Sequence, residues 1–296
     1  MRKKLIFKGV GTAVITPFLN GEIDFGALGR IIERQISAGI NALIIGGTTG
    51  EASTLSDRER SRLYSYAKEV TEGKIPLILG TGSNSTAKAV EYTKEAKRLG
   101  ADGALVVTPY YNKGTEEGIF KHYAKIAEEG DLPIILYNVP GRTGVNLSLN
   151  NLTRLAAYDN IVAIKEASGS YDRLIRIAGL SEELALYSGN DSEAYITLAL
   201  GGAGVISVAS NPLPRAMLKI TNSFFSGELD KSYGFQKALL PFIEVLFKET
   251  NPAPVKYAMS LCGLCSGELR LPMAEISDAT KAEVLREYGR ATRLIK

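Results

Sequence analysis

The chain predicts an α/β fold, a closed (β/α)8 TIM barrel with a C-terminal helical extension, on three observations. Short apolar runs alternate with amphipathic helical stretches at a spacing of roughly 25 to 30 residues, the period of a β–α unit. Eight such units fit within residues 1–225, the count of a closed barrel. Beyond Phe225 the strand signal stops, and residues 226–296 read as helix. An open doubly wound sheet is the structural alternative, but no G-x-G-x-x-G follows the first strand.

The expected strands are Gly11–Thr16, Ala42–Gly46, Leu77–Gly80, Gly103–Val107, Pro133–Asn138, Ile161–Lys165, Leu184–Ser188 and Val205–Val208. Each is short, apolar and closed by small or polar residues. Helices are expected near Phe25–Ala38, Asp57–Val70, Thr86–Leu99, Glu116–Glu129, Leu149–Ala157, Asp172–Ala178, Glu193–Leu200 and Arg215–Ser223. Ser56 with Glu59 forms a capping box, and Gly39, Gly73 and Gly100 close helices. The extension reads as Leu229–Lys248, Val255–Leu264 and Ala279–Leu294, punctuated by Pro252, Pro254 and the 263–267 glycines. With no linker between them, the barrel (1–225) and the extension (226–296) are expected to pack as one unit.

Composition excludes several functions. Lys+Arg number 35 against 32 Asp+Glu, and the longest basic block is Arg2-Lys3-Lys4, so nucleic acid is not an expected partner. No apolar stretch reaches the length of a membrane span, and Leu5-Ile6-Phe7 is too short for a signal core. The chain is therefore expected to be soluble and cytoplasmic. Cys262 and Cys265 form a C-x-x-C pair near a helix end and read as core thiols rather than a redox couple. The single histidine, His122, lies mid-helix and is expected to be solvated. It leaves no ligand set for a metal.

Barrel enzymes carry chemistry at the C-terminal ends of their strands. Lys165 ends the run Ile161-Val162-Ala163-Ile164. Alternation places Ile161, Ala163 and Lys165 on one face, and Val162 and Ile164 on the other. Two readings of Lys165 stand at this point. An amine among apolar neighbours loses hydration and its proton, and attacks a carbonyl to form a Schiff base. A lysine at a strand end can equally carry its charge to water along its own stem.

Other strand ends are polar. Gly46-Gly47-Thr48-Thr49-Gly50-Glu51 offers N–H groups and two hydroxyls to a carboxylate, or is a solvated glycine-rich turn. Thr108-Pro109-Tyr110-Tyr111-Asn112 and Tyr137-Asn138-Val139-Pro140-Gly141-Arg142-Thr143-Gly144 present phenols and a guanidinium. Phenols beside an imine-forming lysine suit proton transfer, although tyrosine is also a common core filler. Arg142 suits a substrate carboxylate or a structural loop contact. Asp191, in Ser188-Gly189-Asn190-Asp191, can pair with a cation or cap the next helix, and capping is the expected role.

These segments, with Ile164-Lys165-Glu166-Ala167, Gly204-Val205-Ile206-Ser207 and Asn251-Pro252-Ala253-Pro254-Val255-Lys256, occur in order and at barrel spacing. Together they resemble the dihydrodipicolinate synthases, of the pyruvate-dependent class I aldolases, over nearly the whole chain. The resemblance implies a metal-independent lyase without organic cofactor. It would condense pyruvate with L-aspartate 4-semialdehyde for diaminopimelate and lysine biosynthesis. Lys165 would form the imine, Tyr137 would shuttle protons, and Thr48 would link Tyr137 to Tyr111. Tyr111 would reach in from a neighbouring subunit across the tight dimer of a homotetramer, a dimer of dimers. Thr49 would hold the pyruvate carboxylate, Arg142 the semialdehyde carboxylate, and Gly189 and Ile206 would shape the pocket.

One departure concerns feedback control. Lysine-inhibited relatives carry histidine and glutamate at positions matching Asp57 or Arg60 and Lys88. Here a cation at Lys88 stands where the ligand's ammonium needs an anion, so weak or absent inhibition by lysine is expected. The competing functions are another pyruvate aldolase on this barrel (N-acetylneuraminate lyase or a 2-keto-3-deoxy sugar acid aldolase) and a pyruvate-binding barrel without turnover. Arg142 favours the short carboxylated aldehyde over the former, and a full set of relay residues opposes the latter.

Overall fold

The apolar runs become strands because both of their faces find partners: barrel interior on one side, helices on the other. The computed structural model describes residues 3–180 and 183–294, so Arg2 of the basic tripeptide lies outside them. Along the chain come β1 (Gly9–Ala13), β2 (Phe18–Leu19), β3 (Glu22–Ile23), α1 (Phe25–Ala38), β4 (Ala42–Ile45), α2 (Asp57–Thr71), β5 (Leu77–Gly80) and α3 (Thr86–Arg98). Next are β6 (Gly103–Val107), α4 (Glu116–Gly130), β7 (Ile134–Asn138), α5 (Pro140–Thr143), α6 (Leu149–Ala156), β8 (Ile161–Glu166) and α7 (Tyr171–Ala178). The barrel ends with β9 (Ala185–Ser188), α8 (Ala194–Ala199), β10 (Gly204–Ser207) and α9 (Pro214–Phe225). The extension contributes α10 (Leu229–Val245), α11 (Ala253–Leu261) and α12 (Asp278–Ala291).

Eight parallel strands close in the order β1-β10-β9-β8-β7-β6-β5-β4 and back to β1. This is the expected barrel. The β2–β3 hairpin was not anticipated, because two-residue strands leave no periodic signal. Closure between β1 and β10 needs glycine: Gly9 and Gly204 are register partners, and a Cβ on Gly204 would stand 1.9 Å from the Gly9 carbonyl oxygen.

Alternation sorts the strands into two apolar layers. Ile44, Ile78, Leu105, Ile135, Ala163 and Ile206 fill the barrel, while Leu43, Leu79, Val106, Leu136, Ile164 and Val205 meet the helices. One expected face is corrected. Ile134 pairs with Ile161 but Ile135 pairs with Ala163, so the register skips Val162. This irregularity puts Ile161 in the outer layer and Val162 in the inner one. Lys165, beyond it, keeps its inward direction.

Helix signals hold where they are local. The Ser56–Glu59 capping box forms at the start of α2. His122, however, is buried rather than solvated: it is 4% exposed in α4, with Nδ1 3.0 Å from Thr86 Oγ1. Burial pulls its pKa down to about 4.

The extension is tied to the barrel by a buried ion pair. Lys256 of α11 is fully buried, with Nζ 2.5 Å from Glu51 Oε1, donating to the Glu268 carbonyl at 2.7 Å and lying over the Phe18 ring. The Arg270 N–H donates to the other Glu51 oxygen. Burial lowers the Lys256 pKa, and Glu51 opposes that shift. Cys262 and Cys265 are free and half-buried after α11, and Cys262 Sγ stands 3.0 Å from Tyr288 Oη.

Two expectations follow. Lys256→Met strands a buried carboxylate and should cost about 3–5 kcal/mol in urea denaturation, while Glu51→Gln/Lys256→Met should recover most of it. An equal loss in the double variant would refute the pairing argument. For His122, the unfolded state binds a proton below about pH 6.5, whereas the folded state does so only near pH 4. Stability should therefore fall as pH drops through that window, by about 3 kcal/mol, and His122→Gln should flatten the slope there. A variant with the same pH slope as the parent would contradict it.

Candidate active site

β7 and β8 end together. Tyr137 is the register partner of Lys165, and Asn138 of Glu166. Because strand side chains alternate, the first pair faces into the barrel and the second faces out. Lys165 is 5% exposed, and its Nζ lies 4.1 Å from the centroid of the Tyr137 ring. The lysine is thus at the inner C-terminal mouth, not on the surface.

The outward pair pins the inward one. Asn138 Nδ2 donates to both Glu166 oxygens at 2.9 and 3.1 Å. Glu166 also accepts from the Ser168 N–H at 2.8 Å and from Arg173 Nε at 2.8 Å. Asn138 Oδ1 accepts from the Leu147 N–H, which fixes the far end of the loop carrying Arg142. A carboxylate this buried is tolerable only with such a complete set of donors.

A cavity of about 660 Å³ opens at this end of the barrel, with Thr48, Tyr110, Tyr137 and Arg142 in its wall. No hydrogen bond joins Thr48 to Tyr137 among the described residues; they share the wall without a direct link. Thr49 lies behind it, 4% exposed, its Oγ1 accepting from Asn251 Nδ2 at 3.0 Å. The exposed Arg142 uses Nη2 to donate to the Asn251 carbonyl at 3.0 Å, leaving other N–H groups of its fork for a ligand. Gly189 is packed against the lysine: a Cβ there would stand 3.1 Å from Lys165 Cε and 2.6 Å from Ala167 Cβ. Ile206 is fully buried in the barrel layer that also holds Tyr137.

Tyr111 is not brought to this cavity within the chain. It is 90% exposed, on a loop where its own φ is 72° and that of Lys113 is 40°. Left-handed backbone at two non-glycine residues is a strained arrangement of the kind found at functional loops.

Matches to known proteins decide the family. Residues 6–288 match the Dihydrodipicolinate synthetase family. The chain belongs to this family. It is 48% identical to the 4-hydroxy-tetrahydrodipicolinate synthase of Thermotoga neapolitana over 292 residues, covering 96% of this chain and 99% of that one. The crystal structure of dihydrodipicolinate synthase from Thermotoga maritima superposes with a TM-score of 0.95 at 45% identity, covering 97% and 99% of the two chains. A chloride-inhibited dihydrodipicolinate synthase from Acinetobacter baumannii, complexed with pyruvate, gives 0.94 at 41% identity, covering 97% and 99%.

Several contributors were misassigned or missed in the sequence. Asp191 does not cap α8: it is fully buried, and its Oδ2 accepts from the Val208 and Ala209 N–H groups just past β10. Burial pushes its carboxyl up, against the pull of those donors, the Ser207 hydroxyl and the charge of Lys165. It therefore fixes the loop that follows Ile206. Asn251 lies far along the chain from both Thr49 and Arg142, so no local pattern could connect them. Glu166 and Arg173 had a readable signal, two charges flanking a strand-to-helix turn beside the lysine.

Proposed function

We propose that Lys165 forms the imine with pyruvate and that the cavity beside it receives L-aspartate 4-semialdehyde, the 4-hydroxy-tetrahydrodipicolinate synthase reaction. The observation that carries the reading is the inward, in-register pair of Lys165 and Tyr137 at the C-terminal mouth of a closed barrel. The amine form of Lys165 attacks the keto carbon, and the carbonyl oxygen leaves as water. The iminium nitrogen then accepts the electrons released when the methyl group loses a proton, giving an enamine. The enamine carbon adds to the aldehyde. The amino group of the second substrate closes the ring by displacing Lys165 from the imine carbon. The nitrogen serves as the electron sink, so this route calls on neither metal nor organic cofactor.

Tyr137 is assigned to carry protons at the imine carbon, and Thr48, which shares its cavity wall, is assigned to link it to Tyr111 once a neighbouring subunit supplies that phenol. Tyr111 turns to solvent in its own chain, which supports its service in a neighbouring subunit, and hence a homotetramer built as a dimer of dimers. Thr49 is assigned to the keto-acid carboxylate and Arg142 to that of the aldehyde, with Gly189 and Ile206 shaping the keto-acid pocket. Residues 1–225 supply the chemistry, and 226–296 are read as packed with them into one unit through Lys256. No helix among the described residues is long and apolar enough to cross a membrane. Biosynthesis from two small water-soluble substrates belongs in the cytoplasm, and we assign it there.

Reduction with borohydride in the presence of pyruvate, followed by peptide mass spectrometry, tests the reading. Lys165 should carry the reduced adduct and Lys165→Met should carry none. An unlabelled Lys165 alongside an intact fold would sink it.

Asn84, Lys88 and Tyr110 line the same cavity, and the charges on that part of its wall support insensitivity to lysine. Lys88 Nζ stands 3.2 Å from Asp57 Oδ2, and Tyr92 Oη donates to Asp57 Oδ1 at 2.6 Å. The hydrogen bond to Asp57 raises the Lys88 pKa, so a cation already satisfies the nearest carboxylate. A second ammonium would meet repulsion. Turnover should change by less than about twofold in millimolar L-lysine; half-inhibition at micromolar lysine would contradict this.

A further inference from the structure

Asn251 touches both residues assigned above to carboxylate recognition. It stands in the segment between α10 and α11, is 4% exposed, and reaches Thr49 across the mouth of the barrel. Its Nδ2 donates to Thr49 Oγ1 at 3.0 Å, and its backbone carbonyl accepts from Arg142 Nη2 at 3.0 Å. Asn251 Oδ1 is buried and has no partner among the described residues, and the end of the amide that meets Thr49 is Nδ2.

A hydroxyl has one proton to give and two lone pairs to receive with. With Asn251 occupying one lone pair of Oγ1, the proton of Thr49 stays free for another acceptor. A donor feeding into Oγ1 also polarises the O–H bond and strengthens it as a donor. The reversed amide would do the opposite: Oδ1 would take the proton of Thr49 and leave only lone pairs toward an anion.

We propose that Asn251 is a positioning residue for the α-keto acid. Its amide holds the Thr49 hydroxyl as a donor to the substrate carboxylate, while its backbone carbonyl separately steadies Arg142. The proposal rests on the assignment of Thr49 and Lys165 made above. It places part of keto-acid selectivity in the extension, outside the strand ends that carry the reacting groups.

The two contacts separate in kinetics. Asn251→Asp presents only acceptors to Thr49 and keeps the backbone carbonyl, so the KM for pyruvate should rise about tenfold, the equivalent of one hydrogen bond to a charged group. The KM for the aldehyde should stay within about twofold, because Arg142 keeps its anchor. Asn251→Ala, which removes the donor without adding charge, should give the same pattern more weakly. In a Thr49→Val background, where no hydroxyl remains to orient, Asn251→Ala should change the pyruvate KM by less than about twofold.

A general loosening of the 250s segment would raise both KM values together and would be additive with Thr49→Val. Either result overturns the proposal, as does an unchanged pyruvate KM in both Asn251 variants. Borohydride labelling of the parent protein separates the two levels. An unlabelled Lys165 defeats the proposed function itself, whereas a labelled Lys165 with KM values rising in parallel defeats only the role of Asn251.

Discussion

The register between β7 and β8 is the constraint on which the site depends. Side chains alternate with a period of two, so pairing Tyr137 with Lys165 sends both inward and simultaneously sends Asn138 and Glu166 outward. A slip of one residue would bury the carboxylate in the barrel and expel the amine among the helices. The hydrogen bonds from Asn138 to Glu166, with Arg173 and the Ser168 N–H, form only in the observed register. The polar pair behind the strands therefore specifies the geometry of Lys165 and Tyr137 in front of them.

The same logic extends the site beyond the barrel. Glu51 belongs to the loop that carries Thr48 and Thr49, and its carboxylate is held by Lys256 and the Arg270 N–H, both from the extension. Asn251 reaches the same loop at Thr49. A glycine-rich loop has little to hold its shape by itself. Here a buried ion pair on one side and an amide on the other fix it, so the helical extension holds the loop that carries Thr48 and Thr49.

How much of this was legible follows from the range of the signals. The eight barrel strands were readable because burial on both faces leaves continuous apolar runs, and helix ends were readable where capping is local, as at Ser56 and Glu59. The skipped Val162 was not, since a register shift depends on the neighbouring strand rather than on the run itself. His122 and Asp191 were misjudged for a related reason. Each is polar at a position whose burial is decided by distant elements: Thr86 of α3 for the one, and the backbone after β10 for the other. Lys165 and Tyr137, proposed as the reacting pair, could be picked out because barrel strand ends carry function, whereas Asn251, which contacts Thr49 and Arg142 from far along the chain, could not.

A division of labour follows from where the buried charges lie. Glu166 ends β8, Asp191 follows β9 and Glu51 follows β4, and each directs its bonds to backbone groups or scaffold side chains rather than to the cavity. The cavity wall carries hydroxyls, phenols, the guanidiniums of Arg60 and Arg142, and one carboxylate, Asp57, which is already paired with Lys88 and Tyr92. An anionic keto acid would be repelled by free carboxylates there, so tying the acids to the scaffold serves two ends: it stiffens the strand ends, and it clears negative charge from the path of a substrate that carries its own. The folding of the rim and the electrostatics of the pocket are thus one arrangement seen from two sides.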